Sequence, residues 1–77
     1  MDVNEVRDLV LAAFPEGEVD VELAGGHYTV TVISEIFEGV RSVARQQRVY
    51  APLASAIAAG HMHAVNIRAL TPAEAAG

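Results

Sequence analysis

The chain has 77 residues, which makes it a single domain near the small end of what folds without covalent or metal staples. Hydrophobic residues make up 52% of it, with two Tyr, two Phe and no Trp or Cys, so a core can be built but neither a disulfide framework nor a thiolate ligand or nucleophile of its own is available. Ten acidic residues against five basic ones give a formal net charge of −5, which counts against polyanion binding, because nucleic-acid affinity draws heavily on neutralised phosphates.

The first element reads as a helix. Val3, Val6, Leu9, Val10, Ala13 and Phe14 recur at helical spacing as one apolar stripe. Asp2 is placed to cap it, with Glu5 three residues on completing a capping box, and Pro15 and Gly17 stop it. Val19, Val21 and Leu23 then alternate with Asp20 and Glu22, the period of a half-buried strand. Tyr28 to Ile33 is β-branched and aromatic, as strands prefer. Gly25-Gly26 between the two supplies the positive φ angles of a tight hairpin turn.

The stretch "EIFEGVRSVARQQRVYAPLASAIAAG" is a second helical region. Val40, Val43, Ala44 and Gln47 begin a helix-spaced face that Leu53, Ile57 and Ala58 continue. Pro52 lacks the donor that a regular helix needs, so the region is kinked or split near Val49 to Ala51, and Gly60 terminates it. A third strand follows from Ala64 to Leu70, with Val65 and Ile67 on one face and Asn66 and Arg68 on the other. Thr71-Pro72-Ala73-Glu74 forms a second capping box with Pro at the first helical position, followed by too few residues for more than a turn. The order is α-β-β-α(α)-β, a small α/β domain spanning 1–77.

A strand–helix–strand crossover between the second and third strands makes them parallel. Their starts then lie at one edge of the sheet, where His27 precedes one strand and His61 and His63 precede the other. If the strands are neighbours, about 4.8 Å apart, His27 and His63 converge there although they are far apart in sequence. Taken singly, each has a plainer reading. His27 is a polar hairpin residue, His63 a core-edge histidine bonded to a helix C-terminus, and His61 an exposed bystander. Two neutral imidazoles suit Zn, Fe or Cu but do not complete a site. A metal held here requires further ligands from a partner.

The stretches "GGHYTVTVISEIFEGVRSVARQQRVYAPL" and "HAVNIRALTPAE" resemble the BolA family across nearly the whole chain, and are most similar to its IbaG-like branch. The combination of Phe37-x-Gly39, "RQQRVY" and a strand opening with His63-Ala64-Val65 carries the resemblance. It departs at Ala75, where relatives often carry Trp. The resemblance implies a class II KH-like fold with a three-stranded mixed sheet and helices on one face. It also implies a non-enzymatic partner of monothiol glutaredoxins that shares a 2Fe–2S cluster, acting in iron–sulfur cluster trafficking or iron regulation. The glutaredoxin cysteine and glutathione would supply thiolates, and His63 and His27 would supply nitrogen, the cysteine-free chain being the histidine type. No cluster is expected in the isolated chain. Arg45, Gln47 and Arg48 are the candidate partner contacts.

The family also has members described as transcriptional regulators, and KH modules bind single-stranded nucleic acid, which gives the alternative reading. A KH clamp is Gly-x-x-Gly, whereas Gly39 is followed by Val40-Arg41-Ser42 with no second Gly. Arg41, Arg45 and Arg48 form a basic run, read either as a solvated helix face or as a contact with glutathione, an acidic surface or nucleic acid. Weak nucleic-acid binding and a free-state homodimer both remain compatible with the sequence. No nucleophile–base pair or phosphate-binding loop points to an enzyme. No basic-apolar leader appears, nor any apolar run near the roughly 18 residues of a membrane span, so a soluble cytoplasmic protein is expected.

Overall fold

A computed structural model describes residues 1–77. It contains helix α1 (Val3–Ala13), strands β1 (Glu18–Ala24) and β2 (His27–Ile33), helices α2 (Ser42–Tyr50) and α3 (Ala54–Ala58), strand β3 (Ala64–Leu70) and a short helix α4 (Pro72–Ala76). Strand order is β1-β2-β3, antiparallel then parallel. This is the α/β architecture with a mixed sheet expected from the sequence.

Each boundary has a local cause. At the start of α1, the Asp2 carboxylate accepts from the Glu5 N–H at 2.9 Å while Glu5 accepts from the Asp2 N–H at 3.2 Å, a reciprocal capping box. The hairpin turn places Gly25 and Gly26 at φ +58° and +79°, the pair of left-handed residues that a type I′ turn requires and that glycine adopts without a Cβ clash. Pro52 divides the second helical region, since Ala51–Leu53 tightens into a 3-10 turn between α2 and α3. Gly60, at φ +80°, ends α3. Its N–H bonds to the Ile57 carbonyl and that of His61 to the Ala56 carbonyl, the paired bonds of a Schellman cap.

The helices pack on one face of the sheet, α1 against β1 and α2 against β3. In register, Tyr28 lies beside Val65, Val30 beside Ile67 and Val32 beside Ala69, so these rows share the helix-covered face. Val6, Val10, Phe14, Val30, Val32, Phe37, Val49, Leu53 and Met62 fill the space between the layers. The apolar stripe of α1 is narrower than its sequence spacing suggests: Leu9 is exposed and Ala13 lies outside, while Leu11 joins the core margin. Nothing covers α1 from above, so only its i, i+4 ridge is buried.

The inward face of α2 differs from expectation. Val43 is 69% exposed and Gln47 is exposed, whereas Arg45 and Gln46 turn inward ahead of Val49. The reason is polar. Gln46 donates to the Ile67 carbonyl at 2.7 Å and Arg45 to the Ala69 carbonyl at 3.2 Å, satisfying acceptors on β3 that face away from β2.

Met62, between two histidines, is 1% exposed and anchors the segment that leads into β3. Met62→Ala should therefore cost about 2–5 kcal/mol of folding stability, measured by denaturant unfolding, whereas His61→Ala should be close to neutral. Equal effects at the two positions would contradict this anchoring role.

Candidate functional site

His27 opens β2 directly after the glycine turn, and its register partner on β3 is Ala64. His63 immediately precedes Ala64, so the parallel pairing brings the two histidines to the same end of adjacent strands. Both are exposed. His27 shares the parity of Thr29 and Thr31, the open face of the sheet, while His63 lies in a bend just outside the strand. His63 is not bonded to a helix C-terminus. The end of α3 is closed instead by the backbone N–H groups of Gly60 and His61.

The sequence "HMH" alternates exposed, buried, exposed. Met62 inserts into the core and holds both flanking imidazoles outside it. His61 belongs to the cap of α3 and His63 to the threshold of β3. No group of three or more His, Cys, Asp or Glu side chains is placed to hold a metal ion. The chain therefore offers at most two nitrogen donors at this edge, and a site built on them needs ligands from elsewhere.

The three expected partner contacts are not brought together. Arg45 is committed within its own chain, with a side chain 14% exposed. Its guanidinium donates to the carbonyls of Val40 (2.7 Å) and Ala69 (3.2 Å) and to the Glu74 carboxylate (2.6 Å), and lies 5.9 Å from the centre of the Phe37 ring. Gln47 borders a shallow pocket with Tyr50, Val65 and Ile67. Arg48 lines a different one with Phe14 and Ile36. Of the basic run, only Arg41 and Arg48 remain exposed.

Arg45 also explains Phe37-x-Gly39. Phe37 is fully buried, with its ring 5.7 Å from that of Phe14. Gly39, at φ +71°, reverses the chain, and Val40 then presents the carbonyl that receives the Arg45 Nε. The motif is structural. Sequence reasoning missed Gln46, whose only signal was its position one helical turn before Val49 on the buried side of α2.

Residues 12–74 match the BolA-like protein family. The chain belongs to the BolA family. It is 46% identical over 74 residues to a protein from the rpoN-murA intergenic region of Acinetobacter guillouiae, covering 96% of this chain and 89% of that one. It is 42% identical to the acid stress protein IbaG of Escherichia coli K12, covering 96% and 88%. Among solved structures, BolA1 from Arabidopsis thaliana superposes with a TM-score of 0.78 at 27% identity, covering 94% and 93%. No helix in this BolA-family fold is long and apolar enough to cross a membrane.

The Arg45–Glu74 pair ties α4 to α2 and β3. The Arg45 hydrogen bond, with the Thr71 N–H second, holds the Glu74 carboxyl below its usual value of 4.5. A carboxyl whose pKa is lower in the folded state stabilises the fold above its unfolded pKa and ceases to do so as pH falls through the folded one. Gln supports a capping box as Glu does, so Glu74→Gln isolates the charge. Wild type should melt above this variant at neutral pH, with the gap closing as pH drops below 4.5. A gap independent of pH would sink the assignment.

Proposed function

We propose that this BolA-family chain is a non-enzymatic cytoplasmic partner of a monothiol glutaredoxin, and that the two share a 2Fe–2S cluster in iron–sulfur trafficking or iron regulation. The observation that carries this reading is the register His27↔Ala64, which delivers two exposed imidazoles from distant parts of the chain to one sheet edge. Their fit to the group is incomplete in an informative way. With no cysteine in the chain and no third donor beside the pair, the remaining positions fall to thiolates of the glutaredoxin and of glutathione. Bound there, a cluster with nitrogen on one side and sulfur on the other has the ligand type that raises reduction potential in Rieske centres.

The chain's own residues do the positioning. The glycine turn fixes where His27 emerges, and Met62, locked in the core, fixes the backbone of His63. The name of the E. coli relative, acid stress protein, is compatible with such a site. Imidazole must be deprotonated to bind metal, so acid weakens a histidine-liganded cluster.

The isolated chain should purify colourless, and a coloured complex should form only with a monothiol glutaredoxin. In that complex, His63→Ala should abolish the visible absorption spectrum or convert it to an all-sulfur type. His27→Ala should shift the spectrum and loosen the cluster less completely, since a neighbour or water can substitute at the exposed turn. His61→Ala should behave as wild type. An essential His61 beside a dispensable His63 would contradict the proposal, as would a cluster-loaded monomer.

A further inference from the structure

We propose a second docking site, for a basic amphipathic segment of a partner protein, at the end of the sheet opposite the histidines. The strands there are seven residues long, so this end lies roughly 20 Å from His27 and His63 at the rise of a β-strand. It carries an open groove of about 920 Å³ between α4 and the turn that follows β2. Its apolar lining comes from Ile33, Ile36, Pro72, Ala75 and Ala76. Ile36 is 49% exposed and gives the groove a large, accessible aliphatic side chain.

The charged part of the lining has one sign. Glu16, Glu18, Glu35 and Glu38 line the groove and no Arg does. The one ion pair in the chain is Arg45–Glu74, so all four carboxylates lack a cationic partner. Ser34, 7% exposed, also lines the groove. Its hydroxyl accepts the Ile36 N–H and donates to no protein group. The α4 wall is held in place by its capping box and by Arg45.

A groove lined by apolar side chains and by unpaired carboxylates matches a segment that carries apolar residues together with Lys or Arg. Charge rules out nucleic acid here, and a second copy would bring a further −5 to a surface that already repels anions. The site is independent of the proposed cluster edge, so either can fail without the other.

The test uses the full chain and a leucine–lysine peptide with leucines at helical spacing. The control is a peptide of the same composition whose leucines are dispersed. Calorimetry should show binding of the first and weaker binding of the second. The combined variant Glu16→Gln, Glu18→Gln, Glu35→Gln, Glu38→Gln should weaken binding by about tenfold or more. Ile36→Ser should weaken it with the salt dependence unchanged, and His63→Ala should leave it intact. Amide shift perturbations in the wild-type chain, which do not depend on any variant folding, should centre on Ile33, Ile36 and Ala75. Equal binding of the two peptides, an unaffected Gln variant, or shifts centred elsewhere would overturn the proposal. So would a homodimer that buries Ile36, which would make a second copy the occupant.

Discussion

The parallel pairing of β2 with β3 is the constraint from which the rest follows. One register, His27↔Ala64 through Ile33↔Leu70, aligns the core rows Tyr28–Val65, Val30–Ile67 and Val32–Ala69 under the helices. The same register places the histidines together at one end and the Ile33 groove at the other. A slip of one residue would turn every β3 side chain to the wrong face. It would also carry Met62 out of the core. Packing and site geometry are therefore specified by the same hydrogen-bond ladder.

A parallel strand at the edge of a sheet leaves alternate backbone groups pointing outward, where they invite another strand to pair. Here the outward carbonyls of Ile67 and Ala69 are taken by Gln46 and Arg45 from α2. On the other edge, the Val19 carbonyl accepts from Arg7 of α1 at 3.2 Å. Each helix thus packs on the sheet and closes its adjacent edge with a polar side chain. This accounts for a helix whose inward face begins with Arg45 and Gln46, polar residues that carry no hydrophobic signal. It also accounts for the basic run: its central member serves the fold, leaving Arg41 and Arg48 to face solvent.

Local rules made the elements legible. Both capping boxes, the Gly25-Gly26 turn, the break at Pro52 and the Gly60 cap are set by contacts within a few residues, so their sequence patterns sufficed. That His27 and His63 stand at the same end of parallel strands was also legible, because a strand–helix–strand crossover makes the two strands parallel. That the strands are neighbours came from the structure. What escaped was tertiary. Periodicity sorts apolar from polar, so it assigned Val43 and Gln47 to the inner face of α2, whereas the acceptors on β3 demanded Arg45 and Gln46. Likewise, nothing within three residues of Met62 announces that it, rather than a histidine, enters the core. That choice depends on the space left between α3 and the sheet.

Size limits what such a domain can do with a metal. Only 15 of its 77 residues are buried, and 13 of those form one cluster between helices and sheet. An enclosed centre would have to displace part of that cluster, and every charged or imidazole ligand brought inside would need its own compensating partners. Ligands on the exposed rim avoid this cost, but a rim holds few of them and leaves the metal open to solvent. A second protein resolves both problems at once, since it completes the ligand set and covers the face. Under the proposed function, the donors missing beside His27 and His63 would come from that second protein. The proposed thiolate-bearing partner suits a chain of which so little lies inside.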